Sequence, residues 1–199
     1  MRFVLASSSP ARLATLTGAG VRPEVIAPEV DEDDYSAPNT GGLALALARA
    51  KAEQVAEGLT VDGPTVVVGC DSLLEFNGQA QGKPETSDQV IVRWYRMRGR
   101  AGVLHTGHHV IVLGADERRE SSRLGTTIVR FADLTDAEIA AYAATGEPER
   151  VAGAFTIDGL GGPFITRIEG DPHNVTGLSL PLLRQMLLDL GVAWHTLWS

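Results

Sequence analysis

The chain is 199 residues long, 44% hydrophobic and 21% charged, with 17 basic against 25 acidic side chains and a net charge of −8. That length and apolar content suit one domain over residues 1–199, with room for two lobes, and exclude a disordered chain. The acidic balance excludes a basic nucleic-acid footprint, and no run approaches the roughly 18 apolar residues of a membrane-spanning helix.

The single cysteine, Cys70, leaves no internal disulfide framework and no cysteine-based zinc cluster. The opening Met-Arg-Phe-Val-Leu-Ala is too short and too soon polar for a secretory signal, which makes the cytoplasm the expected compartment. Residues 2 to 6 read as a short buried strand. Ser9 is a good N-cap and Pro10 suits a first helical position, so a helix is expected from there to Gly18 or Gly20. A strand over 24 to 30 ends in the acidic run Asp31-Glu32-Asp33-Asp34. Gly41 to Gly58 is Ala/Leu-rich with helical period, and Thr65 to Val68 is a β-branched run suited to a strand buried on both faces. Glu85 to about Met97 reads as helix, and Val103 to Leu113 and Thr126 to Phe131 as strands. Thr135 with Glu138 forms a capping box that starts a helix to about Thr145. A glycine-rich stretch, Gly153 to Gly162, precedes a strand at Phe164 to Ile168, and the last helix spans about Leu180 to Leu190. Alternating elements with short connections predict an α/β domain.

Five places could carry chemistry, and each has a plain structural alternative. The strand–Ser7-Ser8-Ser9-Pro10–helix unit presents unpaired amides and a positive dipole end where a phosphate can sit, with Ser7 and Ser9 hydroxyls and Arg12 as further donors. The same residues also describe an ordinary capped helix. Lys51 continues the stripe Leu43, Leu47, and either snorkels to water or points at an anion. Asp71 follows the buried Thr65–Val68 strand, at a sheet end where α/β proteins bind ligands, and suits either a Mg²⁺ ligand, a proton acceptor or a turn cap. Lys83 lies on the Gly82-Lys83-Pro84 loop, in reach of a phosphate or of solvent alone. The acidic run 31–34 is either a solvated loop or a source of a carboxylate for Mg²⁺. Cys70 has no base spaced to activate it and reads as packing. On a strand, His105 and His109 share a face while His108 points away, an awkward arrangement for a three-histidine metal site.

Seven segments in order carry a family resemblance: Leu5-Ala6-Ser7-Ser8-Ser9-Pro10-Ala11-Arg12, Glu29-Val30-Asp31-Glu32, Leu47-Ala48-Arg49-Ala50-Lys51-Ala52, Gly69-Cys70-Asp71-Ser72, Gly82-Lys83-Pro84, Ala152-Gly153 through Asp158-Gly159, and Asn174-Val175-Thr176-Gly177-Leu178-Ser179-Leu180. Together they resemble the Maf family of nucleoside triphosphate pyrophosphatases. The resemblance implies an α/β fold with a mixed twisted sheet flanked by helices, similar to the inosine-triphosphatase group, with two lobes, a central cleft and commonly a homodimer. It implies hydrolysis of canonical or modified nucleoside triphosphates to monophosphate and pyrophosphate, with a divalent cation, Mg²⁺ or Mn²⁺. Asp71 then matches the proton acceptor, Ser9 and Arg12 the phosphate-side motif, and Lys51 and Lys83 its two lysines, with Ser7 beside them a further candidate for binding substrate. Asp31 matches an acidic position near the active site, and Asp71, Asp31 and Glu32 are the candidate metal ligands. Ala11 replaces the usual arginine, Ser72 a threonine and Asp158 a Gln or Glu, at the positions where the family sets base preference. Gly102 stands where a histidine is often found. With these departures, the alternative is a nucleotide-binding regulator with little turnover.

Overall fold

The computed structural model describes residues 1–115 and 117–198. Its elements in chain order are β1 (Arg2–Ala6), α1 (Pro10–Gly18), β2 (Glu24–Ile26), α2 (Thr40–Glu57), β3 (Thr65–Phe76), β4 (Gln79–Gln81), α3 (Ser87–Met97), β5 (Ala101–Leu113), β6 (Arg118–Phe131), α4 (Asp136–Ala144), β7 (Ile165–Glu169), α5 (Pro172–Val175) and α6 (Leu180–Asp189). The fold is mixed α/β, with a seven-stranded sheet in the order β2-β1-β3-β5-β6-β7 and β4 beside β3. β1 pairs in parallel with β2 and β3, and the remaining pairings are antiparallel.

Local signals set most boundaries. The Ser9 side chain caps α1 and Pro10 opens it, and both halves of the Thr135–Glu138 capping box form at α4. β2 is shorter than the expected 24 to 30, because the chain turns at the acidic run into a single 3₁₀ turn, Glu32–Asp34, capped by Asp31. β3 is much longer than Thr65–Val68. It runs through Gly69, Asp71 and Ser72 because β5 pairs with it from Thr65↔Leu113 to Glu75↔Val103. Asn77 and Gly78, both at positive φ, make the two-residue turn into β4.

The long strands β3, β5 and β6 build both lobes. In the first, β2, β1 and the start of β3 carry α1 and α6 on one face, around Leu5, Val68, Leu183 and Leu187. The other face packs α2 through Ala52 and Val55 against Val4, Val67 and Ile111. In the second lobe, the far end of β3 with β4, β6 and β7 covers a core of Leu74, Trp94, Phe131 and Tyr142. There the Trp94 indole N–H donates to Ala154 O at 2.9 Å.

α2 lies unusually close to the sheet. A Cβ on Gly69 would stand 2.3 Å from Ala48 O, and one on Gly107 would stand 2.2 Å from Ala44 O. Only hydrogen at these two strand positions admits the helix, whose facing residues, Ala44, Ala48 and Ala52, are themselves small. The buried stripe is therefore Ala44, Leu47, Ala48 and Ala52, and Leu43 is only partly buried. Among the described residues, no helix is long and apolar enough to cross a membrane.

Candidate active site

The site starts from an interruption in the sheet. β1 accompanies β3 only as far as Gly69, and β4 takes up the same edge only from Leu74. Cys70 to Leu73 pair with β5 on one side and with no strand on the other. At Ala6 the first strand veers off into Ser7-Ser8-Ser9 and α1. The opening is a groove of about 1150 Å³ between the lobes, lined by Ser7, Ser9, Ala11, Arg12, Glu32, Lys51, Asp71, Ser72, Lys83 and Asp158. Residues spread over more than 150 positions of sequence thus share one surface. Asp31 is not among the lining residues. Its carboxylate accepts from Asp33 N at 3.1 Å and caps the 3₁₀ turn, and Glu32 and Asp33 are the members of the acidic run that line the groove.

Lys51 does not snorkel. Its side chain is 12% exposed, and Nζ lies 2.5 Å from Asp71 Oδ1 and 2.6 Å from Glu32 Oε1. The close seat of α2 on Gly69 brings this lysine down onto a strand only two residues further along. Asp71 is buried, and its second oxygen, Oδ2, has no hydrogen-bond partner. Burial holds its carboxyl above the ordinary value of 3.8, against the opposing pull of Lys51 and Arg12. A carboxylate that is desolvated, half-paired and open to a groove is a better proton acceptor than a solvated one.

Arg12 forks onto the protein itself. Nε donates to Gly177 O at 2.8 Å, Nη1 to Ser7 Oγ at 3.0 Å and Nη2 to Ser72 Oγ at 3.2 Å. Three of its five N–H donors are spent on tying α1 to β3 and to the loop after α5, which leaves two for a ligand. The relay continues inward. Thr106 Oγ1 donates to Asn174 O, so it accepts from the Ser72 hydroxyl, 3.0 Å away. Ser7 Oγ accepts from Arg12 and from Ser9 N, so its own proton remains free to donate. Ser9 Oγ accepts from Arg12 N as the α1 cap. Ala11 lines the groove without a charge, and Lys83 stands exposed on a loop whose Gly82 carbonyl is held by Arg93 and Gly153 N.

Two groove residues were not singled out in the sequence. Glu147 accepts from Tyr142 OH at 3.1 Å, Thr156 Oγ1 at 2.6 Å, Leu160 N at 3.0 Å and Gly161 N at 3.1 Å, and so shapes the glycine-rich loop that carries Asp158. These bonds outweigh burial and hold its carboxyl below the usual 4.5. Nothing but the loop's final shape distinguishes this glutamate from a surface one. Arg150 is an exposed cation at the rim. Counting these, the lining carries four cations and six carboxylates.

Cys70 is fully buried, and burial pushes its thiol up to about 12, so it packs and does not attack. The three histidines part company. His105 faces Thr126, His108 is buried against Ser179 N, and His109 turns to Ser122. Away from the groove, Glu53, His109 and Glu120 present one ligand atom each, all within 4.8 Å of one another.

A mixed sheet split at one edge, with a buried carboxylate–lysine pair below a serine-capped helix, defines a polyanion-binding α/β protein. The chain belongs to the Maf-like protein family, whose profile matches residues 2–190. It is 55% identical to the nucleoside triphosphate pyrophosphatase of Cutibacterium acnes, over 99% of this chain and 94% of that one. It is 54% identical to the proteins of the same name from Salinispora tropica (100% of this chain, 88% of that one) and Streptomyces coelicolor (100% and 95%). Among solved structures, the Staphylococcus aureus Ham1 protein aligns with 67% of this chain and 73% of its own, at 15% identity and a TM-score of 0.36.

Proposed function

We propose that this chain is a hydrolase that cleaves nucleoside triphosphates between the α and β phosphates, releasing the monophosphate and pyrophosphate. The observation that carries the reading is Asp71: a buried carboxylate with one oxygen on Lys51 and the other unpaired, in the wall of an open groove. The names of the close relatives support the same chemistry.

The triphosphate lies along the groove with its phosphates near the α1 N-terminus. There the free Ser7 proton, the remaining Arg12 donors and the first-turn amides receive oxygens, and Lys83 closes from the opposite loop. Water attacks the α-phosphorus in line, Asp71 takes its proton, and pyrophosphate leaves. Lys51 orients the carboxylate and offsets its charge. Ala11, Ser72 and Asp158 stand where base preference is set, with Glu147 fixing the loop under Asp158.

Six carboxylates against four cations cannot alone receive a substrate of about four negative charges. The unpaired Asp71 Oδ2 and the nearby Glu32 carboxylate are hard oxygen donors that fit a divalent cation such as Mg²⁺ or Mn²⁺. When bound, such a cation neutralises phosphate charge. We take the two lobes, which share three strands, as one domain, place the protein in the cytoplasm, and read it as a homodimer on the family resemblance.

The test is a panel of nucleoside triphosphates with Mg²⁺ or Mn²⁺, assayed for monophosphate and pyrophosphate, with EDTA as control. Asp71→Asn is expected to lose on the order of 10² to 10⁴ in turnover while still binding nucleotide. Release of inorganic phosphate in place of pyrophosphate, or a folded Asp71→Asn variant with unaltered turnover, overturns the proposal.

A further inference from the structure

We propose that Glu53, His109 and Glu120 form a second metal site, remote from the groove, that takes a borderline divalent cation of the zinc class and clips α2 to β5 and β6. His109 stands two residues beyond Gly107, on the face of β5 that α2 covers. It is 1% exposed, and its Nε2 is buried with no hydrogen-bond partner. Buried polar atoms are nearly always paired, so an imidazole kept this way marks a place where something else supplies the partner. One carboxylate oxygen each from Glu53 on α2 and Glu120 on β6 lies within 4.8 Å of a His109 ring nitrogen and of the other. Ligand atoms around a tetrahedral zinc are about 3.4 Å apart, so the three need to draw together by about 1.4 Å at most. Both glutamate side chains are partly exposed, at 32% and 35%, with rotatable stems that can make up that distance.

The other ring nitrogen, Nδ1, lies 2.7 Å from Ser122 Oγ. Metal-bound histidines commonly have such an outer partner, which fixes the tautomer and aims the free lone pair. Two arginines now balance the carboxylates: Arg49 lies 2.7 Å from Glu53, and Arg118 2.8 Å from Glu120. They are 55% and 43% exposed, and ion pairs that exposed are weak enough for a cation to displace. One imidazole with two carboxylates favours Zn²⁺, Co²⁺ or Ni²⁺ over Mg²⁺, whereas the oxygen donors at Asp71 favour the harder ion. The two sites are thus chemically distinct.

Full-length protein stripped with chelator is titrated with Zn²⁺, and separately with Co²⁺, in the absence of nucleotide. One equivalent is expected to bind, with a four-coordinate Co²⁺ visible band and a higher melting temperature in Zn²⁺. Glu53→Gln and Glu120→Gln alter partly exposed side chains and keep the fold. Each is expected to weaken Zn²⁺ binding about 10- to 100-fold and to abolish the band, while Asp71→Asn keeps both. His109→Gln gives the same loss where it folds. The proposal is overturned if wild type shows no such band, or if both glutamate variants bind Zn²⁺ within about threefold of wild type. None of these readouts depends on nucleotide hydrolysis, so this site and the groove reading stand or fall separately.

Discussion

His108 offers a sharp test of how the site loop is held. Thr106 O lies 3.0 Å from Nδ1, which therefore carries the proton, and Nε2 accepts from Ser179 N at 2.8 Å. That bond anchors the N-cap of α6 and, with it, the end of the loop that gives Gly177 O to Arg12. The ring is fully buried, and burial lowers its pKa from 6.5 to about 4, so the folded protein keeps it neutral. The unfolded chain takes up a proton that the folded chain refuses between these two values. Stability is therefore complete above 6.5 and is lost as the pH falls from 6.5 towards 4. The full shift amounts to about 3 kcal/mol, of which about 2 kcal/mol falls between pH 7 and pH 5. For a chain of this length that is a drop of roughly 4–8 °C in melting temperature. Urea unfolding followed by tryptophan fluorescence at pH 7, 6 and 5 measures it in wild type and in His108→Gln. The variant starts less stable but should lose about 2 kcal/mol less over that range. Equal losses in the two proteins refute the assignment of a neutral, Nδ1-protonated His108.

Other expectations follow from the same geometry. Lys83→Ala should weaken binding of a triphosphate more than of a monophosphate in calorimetry, and equal weakening contradicts a polyphosphate role. Arg12→Ala should do the same and also lower the melting temperature, since Gly177 O and Ser72 Oγ lose their donor. Because burial raises the Asp71 pKa, the acid limb of kcat/KM should lie above the ordinary carboxylate value of about 3.9, and a limb at or below that value removes Asp71 as base. Gly69→Val should cost about 3 kcal/mol or more in chemical denaturation, because the new side chain meets helix backbone rather than a side chain that can move.

Much of this was readable in the chain. Ser9-Pro10 and Thr135 with Glu138 are local chemistry, and local chemistry placed α1 and α4 within a residue or two. Asp71 was legible as a carboxylate beyond a buried run, although the strand continues past it: polar groups facing a groove look, in sequence, like the end of a strand. Lys51 was legible as a lysine that either snorkels or meets an anion, but its direct pairing with Asp71 was not. The Leu43-Leu47-Lys51 stripe suggests a helix buried by its leucines, whereas α2 sits on alanines over Gly69 and Gly107, a fit visible only once helix and sheet meet. Asp31 and Glu32 are adjacent and chemically alike, and the 3₁₀ turn alone decides that Asp31 caps while Glu32 faces Lys51. Glu147 is hidden in the sequence for a related reason, since its partners are two hydroxyls and two backbone amides that only the folded loop gathers.

The strands β3, β5 and β6 pass unbroken from one lobe into the other. Among the described residues the strand pairing joins the two walls without a break, and swinging them apart would tear ladder bonds along three neighbouring strands. The mouth therefore keeps a fixed gauge, and any tightening around a guest falls to the short loops at its rim. On the proposed reading such an architecture takes guests that fit a preformed slot, and of Ala11, Ser72 and Asp158 only Asp158 stands on a loop, the other two being fixed in α1 and β3.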